Sequence, residues 1–248
     1  MRKDSKALLV IPVRNERSLK EIILSSLLFA DKVLVIDSSD KPCLNSEDFK
    51  NEKIIIKRYS VLGKGNAIRF SLKIVRKMRP KYVIFMDANE RDPRDIKKIL
   101  KKLEEGFDMV VGVRKSMRSL QRKFLNWFGR VCYKIFTGNK LSDVFSGFFG
   151  FRWELLRKMK LEAKRFEIEI NFLLEAWKLK ASIAEVQIKV PKLQKSKCTK
   201  KDIVRISLFF DKWFIKNRRE YQWAHKTSNI FVPPLLMFPY ILQKALLF

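Results

Sequence analysis

The chain has 248 residues, with 54 Lys and Arg against 26 Asp and Glu, a formal net charge of +28. Its 47% apolar and 12% aromatic content exceeds what a disordered basic tail carries, and the length admits one large domain or one domain with an appendage. The cysteines, Cys43, Cys132 and Cys198, form no CxxC pair, which argues against a zinc site or disulfide framework, and the lone His225 excludes mechanisms needing two imidazoles.

Met1–Lys6 is charged and the apolar run ALLVIPV that follows is too short for a signal-peptide core or a membrane span, so it reads as a buried strand. Ser18 and Glu21 make a capping box, and Leu19, Ile22, Ile23, Leu27 and Ala30 recur at helical spacing. Strands are predicted at KVLVID (32–37) and KIIIKRY (53–59), and GKGNA (63–67) opens a helix. KYVIFMD (81–87) is a nearly continuous apolar run ending in Asp, as a central parallel strand requires. Asp92-Pro93-Arg94-Asp95 supplies an N-cap, a proline at the first helical position and an acid in the first turn, and DMVVGV (108–113) is a fifth strand. A helix is expected over 118–137, an aromatic-rich strand or turn at FSGFFGF (145–151), a helix over 167–180 and a strand over 181–190.

This alternation predicts an α/β layer with a mostly parallel sheet, in which ligands bind beyond the carboxyl ends of the strands. Asp37, Asp87 and Arg114 sit at such ends. In MDANERDP, Asp87 and Asn89 have the spacing of two oxygen donors that hold one divalent cation together with substrate phosphates, whereas Asp92 reads as a helix cap.

The last fifth of the chain differs. The helix expected over 201–219 is crowded with Ile203, Ile206, Phe209, Phe210, Trp213 and Phe214 and edged by Lys and Arg, which suits either a bilayer surface or docking on the core. Residues 229–248 are as long as a membrane helix, but Pro233, Pro234 and Pro239 break it, so a shallow or re-entrant anchor is expected. Charge is also uneven: 25 basic and 16 acidic residues lie in 1–110, against 29 and 10 beyond. Met109–Ser142 carries eight basic residues and no acid, and Val186–Lys201 six and none. Nucleic acid, an anionic membrane or a phosphate-rich ligand would each answer such runs. No RNP, zinc-finger or helix-turn-helix pattern accompanies them, and nucleic acid is not the expected partner.

In order, VIPVRNE (10–16), VLVIDSSD (33–40), GKGNA (63–67), FMDANERDP (85–93), GVR (112–114), Arg122-Lys123, SDVFSGFFGFR (142–152) and AEVQIKV with KSK (184–197) resemble glycosyltransferase family 2, and most closely its dolichol-phosphate mannosyltransferase-like branch. The resemblance covers roughly residues 7–200. It implies a GT-A fold with a mostly parallel central sheet flanked by helices, a glycosyltransferase domain over 1–200 and a membrane-associating helical segment over 201–248. It further implies that Pro12 and Glu16 line the nucleotide pocket and Asp37 meets the base. Lys64, Arg114 and Arg122 would contact phosphates, and Asp87 and Asn89 would face a Mg²⁺ or Mn²⁺ ion and the diphosphate. Asp143, Ser146, Ser196 and Lys197 would lie toward the acceptor.

Departures from the pattern carry information. The family's DxD is DAN here, which replaces one carboxylate by an amide, and Arg91 adds positive charge nearby, so a weakly bound metal is expected with arginine supplying part of the electrophile. The second Asp of the usual VDDGS is Ser38, and no QxxRW is present, which argues against a processive synthase. The implied reaction is inverting transfer from GDP-mannose or a UDP-hexose to a polyprenyl phosphate at the cytoplasmic face of the cell membrane. An ionised acceptor phosphate needs no strong base; a hydroxyl acceptor would need one, and Asp143 is the candidate. An inactive relative serving as a scaffold and a basic nucleic-acid-binding protein are the rivals. Truncation after about Val190 is expected to release the protein from membranes.

Overall fold

Each strand divides its side chains between two cores, because successive residues point to opposite faces of a sheet. In the first, β1 (Ala7–Val13), Leu8 and Val10 enter one apolar cluster while Leu9, Ile11 and Val13 enter the other. The computed structural model describes residues 6–16, 19–44, 47, 49, 51–87, 92–115, 120–189 and 200–217. After β1 come α1 (Leu19–Ser26), β2 (Lys32–Asp37), β3 (Ile54–Arg58), α2 (Lys64–Met78), β4 (Tyr82–Met86), a 3₁₀ turn at Pro93–Asp95, α3 (Ile96–Glu104) and β5 (Met109–Arg114). Then follow α4 (Leu120–Thr137), β6 (Phe148–Arg152), the single turn α5 (Trp153–Leu156), α6 (Ile168–Lys178), β7 (Ile183–Ile188) and α7 (Lys200–Lys216).

The strands form one seven-stranded sheet in the order β3-β2-β1-β4-β6-β5-β7. All pairs are parallel except those of β6, which runs antiparallel between β4 and β5. The aromatic segment is therefore a strand, and its direction follows from where it enters. Gly147 accepts a hydrogen bond from the Asp87 amide at the carboxyl edge of the sheet, so the chain can only run down from there. Gly150 lies in the middle of β6 because Ile99 of α3 presses on it; a Cβ there would come 2.2 Å from an Ile99 methyl.

Helices α1 and α3 cover one face, through Leu19, Ile23, Ile96, Ile99 and Leu103. On the other, α2, α4, α6 and α7 share one cluster with the alternate strand residues. Helix α6 is buried from Ile168 to Ala176, since α4 and α7 pack over it. Of the two readings of the C-terminal helix, docking on the core holds for α7: Ile206, Phe210 and Trp213 are buried, Phe210 stacks on Phe136 of α4, and Trp213 donates to Glu175 of α6. Leu208 and Ile215 remain exposed on its outer side. The expected boundary at residue 200 falls at the start of this helix, and residues 229–248 lie outside the described set. No helix among the described residues is long and apolar enough to cross a membrane.

Other expectations hold with small shifts. Asp92 accepts a hydrogen bond from the Arg94 amide as the cap of the 3₁₀ turn, whereas Ser18 of the capping box lies outside the described residues. Helix α1 stops at Ser26, short of the apolar pattern that runs to Ala30, because the chain turns there to start β2.

Candidate active site at the carboxyl edge of the sheet

The strand order reverses direction of growth at β1, and the carboxyl ends of β1, β2, β4 and β5 bring together most of the residues singled out above. At the β1–β2 end, Pro12 lies beyond Val10–Phe85, the last β1–β4 pair, so its missing amide costs no ladder bond on that side. Asn15 has a left-handed backbone (φ 51°), and its side-chain amide both donates to the Asp40 carboxylate and accepts from the Asp40 amide. Its own amide donates to the Ser39 hydroxyl at 2.8 Å, so the two loops are sewn together. Glu16 follows, half-buried.

Asp37, at the end of β2, is buried. Its oxygens accept from the Ser39 amide (2.9 Å), the Cys43 amide (3.1 Å) and Nη1 of Arg58 (3.2 Å). Burial alone would push this carboxyl up, but the hydrogen bonds from Ser39 and Cys43 outweigh it and hold it below the usual carboxylate range. The neighbouring Cys43 thiol is pushed up, chiefly by burial. Ser38, where the family pattern has an acid, buries a hydroxyl that makes no hydrogen bond.

At the β4 end, Asp87 meets Lys64. The Lys64 ammonium lies 2.7 Å and 2.9 Å from the two Asp87 oxygens and 2.5 Å from Oε1 of Glu169. The path of the chain explains this placement. Gly63 (φ 117°) and Gly65 allow the turn before α2 to press on residues 163–165: a Cβ on Gly65 would sit 2.4 Å from the Ala163 carbonyl. The amides of Gly65 and Asn66 donate to the carbonyls of Arg165 and Lys164, and Glu167 and Asn171 hold that segment by accepting from the amides of residues 162–165. Helix α6 starts immediately after, which delivers Glu169 to Lys64. Burial would depress the Lys64 ammonium, but Asp87 and Glu169 outweigh it and raise it above its ordinary value. Burial likewise pushes the Glu169 carboxyl up, against the pull of Lys64.

At the β5 end, Arg114 forms a two-pronged pair with Asp143, Nε to Oδ2 at 2.7 Å and Nη2 to Oδ1 at 2.8 Å, with the carboxylate fully buried. The Phe145 amide also donates to Asp143, at 3.1 Å. Arg114 acts electrostatically on Glu169 as well, so the β4 and β5 groups form one charged cluster. Ser146 is buried, and its hydroxyl closes a turn by accepting from the Phe148 amide and donating to the Phe148 carbonyl. Arg122 lies half-exposed in the first turn of α4. Asn89, Ser196 and Lys197 lie outside the described residues.

For a divalent cation the local chemistry fits. Asp87 presents carboxylate oxygens at the carboxyl edge, 30% exposed, and a cation, the Lys64 ammonium, already rests on them. Among the described residues no group of three or more His, Cys, Asp or Glu side chains could hold a metal ion, so other ligands would have to come from Asn89, a phosphate or water.

Two participants escaped the sequence reading. Glu169 looks like one of several acids near a helix start, and its only signal is the doubled acid of FEIEI; Arg58 looks like the last residue of an edge strand.

This sheet order and strand-edge cluster define an α/β transferase of the GT-A type. The chain belongs to glycosyl transferase family 2, whose model matches residues 8–159, and it is a glycosyltransferase. Similar solved structures include glucosyl-3-phosphoglycerate synthase from Mycobacterium tuberculosis with Mn²⁺, uridine diphosphate and phosphoglyceric acid, at TM-score 0.66 and 17% identity, covering 84% of this chain and 78% of that one. The same synthase with Mn²⁺ and UDP-glucose aligns at TM-score 0.66 and 18% identity over 84% and 78%, and a further mycobacterial protein at 0.64 and 16% over 87% and 74%. No curated protein sequence matches the chain. At these identities the structural likeness speaks for the fold, and it does not single out the dolichol-phosphate mannosyltransferase branch.

Proposed function

We propose that this protein transfers a hexose, with inversion, from a nucleotide-sugar to an acceptor phosphate, and that the acceptor is a polyprenyl phosphate at a membrane surface. The observation that carries the acceptor class is the state of the site's carboxylates. Asp143, the candidate base for a hydroxyl acceptor, has both oxygens occupied by Arg114 and the Phe145 amide and no exposure to solvent. Asp87 and Glu169 are both engaged by Lys64. An acceptor phosphate is already ionised and needs no proton removed, so positioning and electrostatics suffice.

In this reading the β1–β2 edge, with Pro12, Glu16 and Asp37, receives the nucleoside. Lys64, Arg114 and Arg122 face the phosphates, and Asp143 acts on Arg114 as a positioning residue. The anomeric carbon loses its bond to the diphosphate and gains one to the acceptor oxygen, and the nucleoside diphosphate leaves. Asp87 and Asn89 would hold a Mg²⁺ or Mn²⁺ ion, which when bound neutralises charge developing on the diphosphate. The lipid reading rests on the basic runs and on the apolar segment beyond α7. Each Lys or Arg near an anionic surface adds about 1 kcal/mol of attraction.

A second reading, a small phosphorylated acceptor, is favoured by the likeness to structures containing phosphoglyceric acid. The test is transfer of labelled sugar from UDP-glucose or GDP-mannose to polyprenyl phosphate or to 3-phosphoglycerate, with the anomeric configuration of product read by NMR. Product on polyprenyl phosphate is expected; turnover only with 3-phosphoglycerate would replace the lipid reading. Because α7 is part of the core, a cut to release the protein from membranes belongs after Asn217 rather than after Val190. Sedimentation of that truncated form with anionic vesicles would argue against a C-terminal anchor.

A further inference from the structure

Lys64 is placed unlike a general phosphate ligand waiting at a surface. Its side chain is 13% exposed, and both carboxylates it touches belong to structures it has to bridge: the end of β4 and the first turn of α6. Glycines on either side commit the turn to that position, because a Cβ at Gly63 or Gly65 would come within 2.4 Å of the backbone of residues 163–164. The ammonium therefore occupies the oxygens that a divalent cation would need. Two cations on these oxygens oppose each other: at separations of a few ångströms their repulsion is several kcal/mol even at an effective dielectric of about 20.

We propose that Lys64 is a resident counter-ion of Asp87 which a nucleoside diphosphate draws away, so that the divalent cation gains Asp87 only together with the nucleotide. The proposal rests on the nucleotide-sugar reading above. A diphosphate arriving at the carboxyl edge offers Lys64 a new anion within reach of its flexible stem, and the ammonium can leave Asp87 while keeping Glu169 as a partner. Released from the ammonium, Asp87 becomes available to the incoming cation. Without nucleotide, a dication has to displace a buried, doubly paired ammonium and binds weakly. Nucleotide and cation thus strengthen each other's binding, as reciprocal coupling demands.

The experiment uses the full chain and reads Mn²⁺ binding as loss of the free-ion signal in electron paramagnetic resonance, with Mn²⁺ alone and with UDP or GDP added, each against a protein-free control that subtracts the Mn²⁺ held by the nucleotide itself. Wild type should bind Mn²⁺ at least about tenfold more tightly when the nucleotide is present. The decisive variant is the double substitution Lys64→Met with Glu169→Gln. It removes one positive and one negative charge, so the net charge is unchanged and no buried carboxylate is left unpaired, while Asp87 is freed. Mn²⁺ alone should bind this variant about tenfold more tightly than wild type, with the nucleotide adding less than it adds in wild type, and a further Asp87→Asn should abolish the gain. Lys64→Met alone should move Mn²⁺ affinity in the same direction. Equal Mn²⁺ affinity in wild type and the double variant, or a wild-type Mn²⁺ affinity that a bound nucleotide leaves unchanged, would overturn the proposal. Failure of wild type to bind any nucleotide refutes the donor reading instead, and the comparison made with Mn²⁺ alone still decides the place of the ammonium.

Discussion

Two acids at neighbouring strand ends are held in opposite ways. Asp37 is fixed largely by backbone amides, those of Ser39 and Cys43, which cannot leave without unfolding the loop. Asp87 is held by the tip of Lys64, whose flexible stem can carry the ammonium elsewhere. The first arrangement builds a rigid wall, whereas the second leaves a charge that another cation can claim. Arg114 and Asp143 are a third case, a side-chain pair in which the carboxylate is fully buried and only the guanidinium keeps a narrow exposed edge.

These differences can be broken one at a time. Asp87→Asn should have the largest effect, lowering transfer from a nucleotide-sugar by about a hundredfold or more, while thermal unfolding moves little because Lys64 keeps Glu169. Should the rate survive, the exchangeable end of the comparison fails. Asp143→Ala removes the buried carboxylate that pairs with the Arg114 guanidinium and should cost about 3–5 kcal/mol in urea unfolding. Gly65→Ala forces the Lys64 turn off residues 163–165, with an expected loss of about 1–3 kcal/mol and a weaker nucleotide-dependent rise in melting temperature.

Asp37→Asn should cost about 1–3 kcal/mol at neutral pH, through the donors that lose a charged acceptor. Its sign with pH follows from the direction of the shift: the folded-state value lies below the ordinary 3.8. The contribution is therefore present above that value and lost as pH falls through the lower one, so wild type and Asp37→Asn should converge in stability in strong acid. At neutral pH the smallest effect concerns neither strand end. Cys132 and Tyr133, buried in α4, are pushed by burial from 9.0 and 10.0 up to about 12. Stability should be complete below the ordinary values and decline as pH rises toward about 12, and Cys132→Ala or Tyr133→Phe should flatten that decline in melts across the range.

Much of this architecture is legible in the order of residues along the chain. Continuous apolar runs at 7–13 and 81–87 mark central strands because both of their faces are covered, and the alternation with helical periods dictates parallel crossovers. The acids and the arginine at strand ends follow, since such ends gather at one edge. The direction of β6 was not legible, because FSGFFGF has no periodicity that distinguishes a parallel from an antiparallel strand. Nor was the fate of α7. Its apolar face looks the same whether it meets a bilayer or α4 and α6, and only Phe136, Trp177 and Glu175 opposite Phe210 and Trp213 decide for the core.

By itself, then, the sequence determined the fold class, the family and the edge of the sheet where chemistry occurs, because local periodicity and strand-end placement depend on neighbouring residues along the chain. The tertiary structure alone decided which charges meet. Lys64 and Glu169 are separated by 105 positions, Arg114 and Asp143 by 29. Such pairs form only once the glycine turn packs on the segment before α6 and β6 descends beside β4, and no local pattern encodes a contact that packing creates.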